Sequence, residues 1–152
     1  VVPQPSYSQW VAGFPLADSS PLADPDFDGT INLLEYASFS DPSDNMSFTN
    51  PHLESDPAVP GDLVYTYRRI REISPGDGNG STGDGYRIYG ITYTVEVSSD
   101  LSNWQPASQV VTMQAEGLPL DYGDGSETVT LRLTPPPNSG NHWFARLKIA
   151  LE

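Results

Sequence analysis

The sequence predicts a mainly β protein, an antiparallel β-sandwich over residues 61–150 preceded by a pair of short helices within residues 1–42. Three observations lead there. The apolar period changes beyond residue 60, from a helical spacing of about 3.6 residues to the strand spacing of about 2. The strand-like segments that follow are separated by turn residues with no helical pattern between them, which argues for antiparallel pairing. Finally, the 152 residues include 13 Gly, 15 Pro and 8 Tyr, a composition that suits strands and their loops.

The elements follow in order. Ser6 to Phe14 reads as a helix, with Ser6 as N-cap and Tyr7, Trp10, Val11 and Phe14 at helical spacing, so Trp10 faces the core. Pro15 to Pro21 is a loop. A dense acidic turn, Asp24-Pro25-Asp26-Phe27-Asp28-Gly29, precedes a second amphipathic run (Ile31, Leu33, Leu34, Tyr36, Ala37 and Phe39) that stops before Asp41-Pro42. Residues 43–60 are polar and proline-broken, a linker or ordered crossover loop. Five strands are expected: Leu63 to Arg71, Tyr89 to Ser98, Gln109 to Gln114, Thr128 to Thr134 and Trp143 to Ala150. In the second, Tyr93, Val95 and Val97 should face the core; in the last, Ala145, Leu147 and Ile149 should. Helices this short need the sheet to bury their apolar side, so both parts are expected to form one unit. The start at Val1 and the final Leu151-Glu152, which reads as a cloning scar, suggest a piece of a longer protein.

The acidic turn has the spacing of a twelve-residue EF-hand loop. Asp24, Asp26 and Asp28 fall at positions 1, 3 and 5, Gly29 at 6, Thr30 at 7, Asn32 at 9 and Glu35 at 12. Alternate carboxylates in a tight turn converge, Gly29 permits the bend, and the Thr30 carbonyl adds an oxygen. Asn32 contributes directly or through water, and Glu35 closes the shell from the helix. Calcium is the expected ion, with Ile31 anchoring the loop to the core. Without it the carboxylates repel one another.

These residues carry a resemblance. Asp24 to Gly29, then Asn32-Leu33-Leu34-Glu35-Tyr36-Ala37 and Asp41-Pro42, resemble dockerin-like and bacterial thrombospondin type 3-like calcium repeats. The segments Leu63 to Arg69, Tyr93 to Trp104 and Phe144 to Ile149 are similar to the β module that often follows such a repeat. The resemblance implies a C-terminal module of a large secreted bacterial protein, glycoside hydrolases among them, acting outside the cell. Two departures stand out. Phe27 replaces the usual Gly or polar residue, so either the local backbone differs or Phe27 packs on the sheet, and a single loop, where cohesin-binding dockerins have two, argues against a cohesin partner.

With 20 acidic and 7 basic residues the net charge is −13, which makes nucleic acid and anionic membranes poor partners. The histidines His52 and His142 lie apart with no nucleophile motif nearby, so no enzyme activity is expected. Asp77, Asn79 and Asp84 in the Gly-rich stretch Ser74 to Tyr86 could hold a second cation or a sugar, although a mobile hairpin connection is the plainer expectation. Asp121 to Glu127 could also bind metal, although a turn is the plainer expectation. Trp104, Trp143, Tyr86, Tyr89 and Tyr122 flank loops or strand ends and are candidates to stack on sugar rings, Trp143 beside Asn141 and His142. The expectation is a monomeric, non-catalytic carbohydrate-binding module for a β-glucan, xylan or mannan, linked covalently to a parent enzyme. The alternative is a structural, anchoring or sorting domain.

Overall fold

The computed structural model describes residues 5–47, 49–140 and 142–152; Asn141 lies outside them. Helix α1 spans Tyr7–Val11, shorter than the predicted stretch because the chain turns at Ala12 and Gly13. Ser6 caps it in a reciprocal box: the Gln9 amide donates to Ser6 Oγ (3.4 Å) and the Ser6 amide to Gln9 Oε1 (3.0 Å). Helix α2 spans Asn32–Ser38 and ends where Phe39 takes a left-handed conformation at φ 62°, its amide donating to the Glu35 carbonyl. The Tyr7 and Trp10 rings pack on Tyr36 of α2, with centroids 5.7 and 5.4 Å away.

The rest is two antiparallel sheets of five strands each. Strands β1 (His52–Ser55), β2 (Leu63–Ile70), β7 (Thr112–Ala115), β8 (Leu120–Asp121) and β9 (Ser126–Thr134) form one, in the order β1-β2-β9-β7 with β8 also on β9. Strands β3 (Asn79–Ser81), β4 (Asp84–Ile88), β5 (Ile91–Ser98), β6 (Gln105–Pro106) and β10 (Phe144–Leu151) form the other, in the order β10-β5-β4-β3 with β6 also on β5. A four-residue helix, α3 (Ala107–Val110), connects β6 to β7.

The core lies where the inward residues of the two sheets meet. Tyr65, Tyr67, Val129, Leu131 and Leu133 come from the first sheet; Tyr86, Ile88, Ile91, Tyr93, Val95 and Val97 from the second. Tyr67 and Tyr93 bring their rings to 6.2 Å across the divide. The Tyr93 hydroxyl accepts the Ile70 amide at 3.0 Å and donates to the Ala37 carbonyl at 2.5 Å, so one side chain of β5 binds both β2 and α2. Gly83, at φ 75°, lies tight against the core: an added Cβ would stand 2.5 Å from Leu131 Cδ1 and 3.1 Å from Val95 Cγ2, so a larger residue would be strained and would push those side chains aside.

Several elements differ from expectation. The stretch 43–60 contains edge strand β1, held in register by the pairing of Leu53 with Tyr65. The Gly-rich segment is no bare connection, since its second half forms the β3–β4 hairpin. Tyr89 does not start a strand. With Gly90 it makes the two-residue turn between β4 and β5, both at positive φ (47° and 82°), the twist that matches a right-handed hairpin. The predicted strand from Gln109 starts as helix α3 and becomes strand only at Thr112.

Candidate metal centre and aromatic surfaces

The base of the acidic loop is closed by two backbone bonds, Asn32 amide to Ala23 carbonyl (2.8 Å) and Leu33 amide to Pro21 carbonyl (3.0 Å). Above it the aspartates fold the backbone around themselves. The Asp28 amide donates to Asp24 Oδ1 (3.2 Å) and Asp26 Oδ1 (3.3 Å), the Gly29 amide to Asp24 Oδ2 (3.0 Å), and the Thr30 amide to Asp28 Oδ1 (2.6 Å). Phe27 at φ 62° and Gly29 at φ 92° supply the bends. Phe27 is 88% exposed, so it does not pack on the sheet.

Asp24, Asp26 and Asp28 each bring an oxygen within 4.8 Å of the others, and they are the one group of metal-capable side chains of this kind among the described residues. Helix α2 adds the rest. Asn32 and Glu35 are fully buried, and the Asn32 amide group donates to the carbonyls of Asp18 (3.1 Å) and Ser20 (3.0 Å), which leaves its oxygen free. Four oxygens of this loop, Asp26 Oδ2, Asp28 Oδ2, Asn32 Oδ1 and Glu35 Oε2, are shielded from water and accept no hydrogen bond. A buried acceptor without a partner costs about 1–3 kcal/mol, and four on one turn require a common explanation. Burial, then the charges of Asp26 and Asp28, push the Glu35 carboxyl up to about 8; burial is also the main cause raising Asp26. An all-oxygen donor set in a flexible turn suits a hard divalent cation, whose charge would satisfy the orphaned oxygens together. Half-buried Ile31 packs against the core beside them.

The five candidate rings are placed very differently. Tyr86 is only 6% exposed, with the Arg69 guanidinium 4.0 Å from its centroid, so it offers no face to a ligand. Arg146 lies 4.4 Å over half-buried Trp104, whose indole N–H donates to the Leu101 carbonyl (3.2 Å). Arg68 lies 4.6 Å over Tyr122, which is exposed and accepts a bond from the Thr128 hydroxyl (2.8 Å). Half-buried Tyr89 is tied down by the Ile73 amide (2.7 Å) and by its own bond to Asp77 Oδ2 (2.6 Å). Trp143 differs from these. It lines a cleft of about 440 Å³ between β1, the start of β2 and the start of β10, and its indole N–H has no acceptor.

Two of these arginines, with Arg71, account for the second acidic turn. Arg68 pairs with Asp124 (2.6 Å), Arg69 with Glu127 (2.7 Å) and Arg71 with Asp121 (3.2 Å), so that segment is a turn locked to β2. Asp77 likewise serves a turn, accepting from the Ser74 amide (2.9 Å). The sequence reading overlooked these arginine partners, although the close spacing of Arg68, Arg69 and Arg71 against Asp121, Asp124 and Glu127 was the available signal. No protein-family model matches the chain, and neither the curated proteins nor the solved structures compared with it give a match.

Proposed function

We propose that the chain is a non-catalytic, calcium-stapled β-sandwich module with an N-terminal helix–calcium loop–helix, acting as a structural or anchoring domain of an extracellular protein. One observation carries the reading: the orphaned oxygens sit at loop positions 3, 5, 9 and 12, which are ligand positions of the EF-hand pattern. Asp24 at position 1 and the Thr30 carbonyl at position 7 would complete the shell. Calcium supplies the charge that lets four carboxylates share one turn; the protein's own part is to hold them there by the two bonds at the loop base. Calorimetric titration with calcium tests this. Binding should be saturable at one ion per chain, and the protein should melt higher with the ion, by about 2.7 kcal/mol of stability at an ion concentration of 100 Kd. Asp26→Asn with Glu35→Gln should abolish both effects. An identical melting curve in calcium and in chelator ends the proposal.

A second reading, a module that binds polysaccharide of the β-glucan, xylan or mannan class for a covalently linked parent enzyme, is favoured by Trp143 in its cleft. The other rings support it less, since three of the five carry an arginine on one face.

A further inference from the structure

The two sheets end in strands β1 and β7 and in strands β3 and β10. The first three have three or four residues each, and β3 pairs with a register shift, both common ways of blunting an edge. Strand β10 is different. It has eight residues, no Gly or Pro, and an unbroken register from Phe144 opposite Ser98 to Leu151 opposite Ile91. Two bonds show which of its groups are free. The Glu152 amide donates to the Gly90 carbonyl (2.9 Å), one step beyond that register, and the Val95 amide donates to the Gly83 carbonyl, away from β10. Bonded and unbonded pairs alternate along an antiparallel ladder. Arg146, Lys148 and Ala150 therefore bond to β5, while the amides and carbonyls of Ala145, Leu147 and Ile149 point away from it. No strand among the described residues pairs with them there.

The side chains show the same incompleteness. Leu147 and Ile149 face the core yet are only half-buried, whereas Val95 and Tyr93 opposite them are fully buried. On the solvent face, Arg146 is held by Glu96 (2.8 Å). Exposed Lys148, the one lysine of the chain, makes no ion pair among the described residues, although every arginine has a carboxylate partner.

We propose that β10 takes up an extended segment of a partner protein in which acidic and apolar residues alternate, an inference that rests on the anchoring reading, names its partner and does not involve the calcium loop. The added strand bonds to Ala145, Leu147 and Ile149 through its main chain, covers Leu147 and Ile149 with its apolar side chains and sets a carboxylate beside Lys148. A second copy does not supply that charge. The solvent face of its β10 offers Arg146, Lys148 and Ala150, and Glu152 beyond them is already held by Arg87 (3.2 Å).

The test follows the β10 amides of the whole chain by NMR, with calcium present, while two synthetic peptides are added in turn, one alternating Val and Glu and one alternating Val and Lys. The expected result is a saturable shift with the Val–Glu peptide, largest at the Ala145, Leu147 and Ile149 amides and accompanied by their protection from hydrogen exchange. The Val–Lys peptide should give a much smaller response. Lys148→Glu leaves the core untouched, because that side chain is exposed and unpaired. It should weaken the Val–Glu peptide about tenfold, as an attractive cross-strand pair becomes a repulsive one, and strengthen the Val–Lys peptide. Equal binding of the two peptides would overturn the acidic partner, and binding that moves β1, β3 or β7 in place of β10 would overturn the edge. Concentration-dependent shifts of the same amides without peptide would put a second copy there and overturn the partner protein. If neither peptide binds while calcium still titrates at one ion per chain, the inference falls and the calcium-stapled module stands.

Discussion

Two tyrosines of the core separate what a buried hydroxyl does from what a buried ring does. Tyr93 and Tyr65 are both almost completely buried, but the Tyr93 hydroxyl bridges the Ile70 amide and the Ala37 carbonyl while the Tyr65 hydroxyl has no partner. Tyr93→Phe therefore strands a donor and an acceptor in the interior and should cost about 1–3 kcal/mol. Tyr65→Phe removes an unsatisfied group without disturbing the ring, so it should be neutral or mildly stabilising. Urea melts of the two variants check the contrast, and equal losses would contradict it. Glu35 shows the same logic at the loop: a carboxyl this deep is not placed for packing, because a Leu would fill the space without its desolvation cost.

At the scale of elements, α1 has five residues and α2 seven, both far below the length of about 12–15 at which an isolated helix holds in water. Their order must come from the sheet on one side and the acidic loop on the other. Hydrogen exchange should therefore respond to chelation unevenly. The amides of Asn32 and Leu33, which close the loop base, should lose protection together with the rest of α2, while β2 and β9 in mid-sheet keep theirs. Uniform loss across α2, β2 and β9 would mean that the loop is no separate unit. The legibility of these elements followed the same division. The loop could be read because its ligands are local in sequence, each fixed by spacing from Asp24. Strands β2, β5, β9 and β10 could be read because alternation is local too. Strands β1, β3, β6 and β8 are two to four residues long and are strands only because a longer neighbour pairs with them, a fact no local pattern carries. The shielding of Tyr86 and Trp104 by arginines depends on contacts from other strands, Arg69 of β2 and Arg146 of β10, so exposure was the least legible property of all.

For the whole molecule, the core is built on tyrosine as much as on aliphatic side chains, and that sets its behaviour in alkali. Burial raises Tyr65 and Tyr93 well above the ordinary phenol range and Tyr67 to about 12. Each binds its proton more tightly folded than unfolded, where the value is 10.0, so the unfolded chain carries fewer protons between those limits. The stability these rings give is thus complete below pH 10.0 and falls as pH rises from there through the folded-state values, by about 1.4 kcal/mol per pH unit per ring. Three such rings acting together lose about 4 kcal/mol per pH unit, so about two units above pH 10.0 bring the loss into the range of a typical domain's margin, roughly 5–15 kcal/mol. Repulsion among the 20 acidic residues, already ionised there, adds to the loss. The expected outcome of an alkaline titration is one cooperative transition, in which the tyrosinate absorbance of the buried three appears together with the loss of the β-sheet circular dichroism signal. Titration of all eight tyrosines with the sheet signal intact would show that the two sheets part easily enough to admit hydroxide, and the rivet across Ile70, Tyr93 and Ala37 would then count for little.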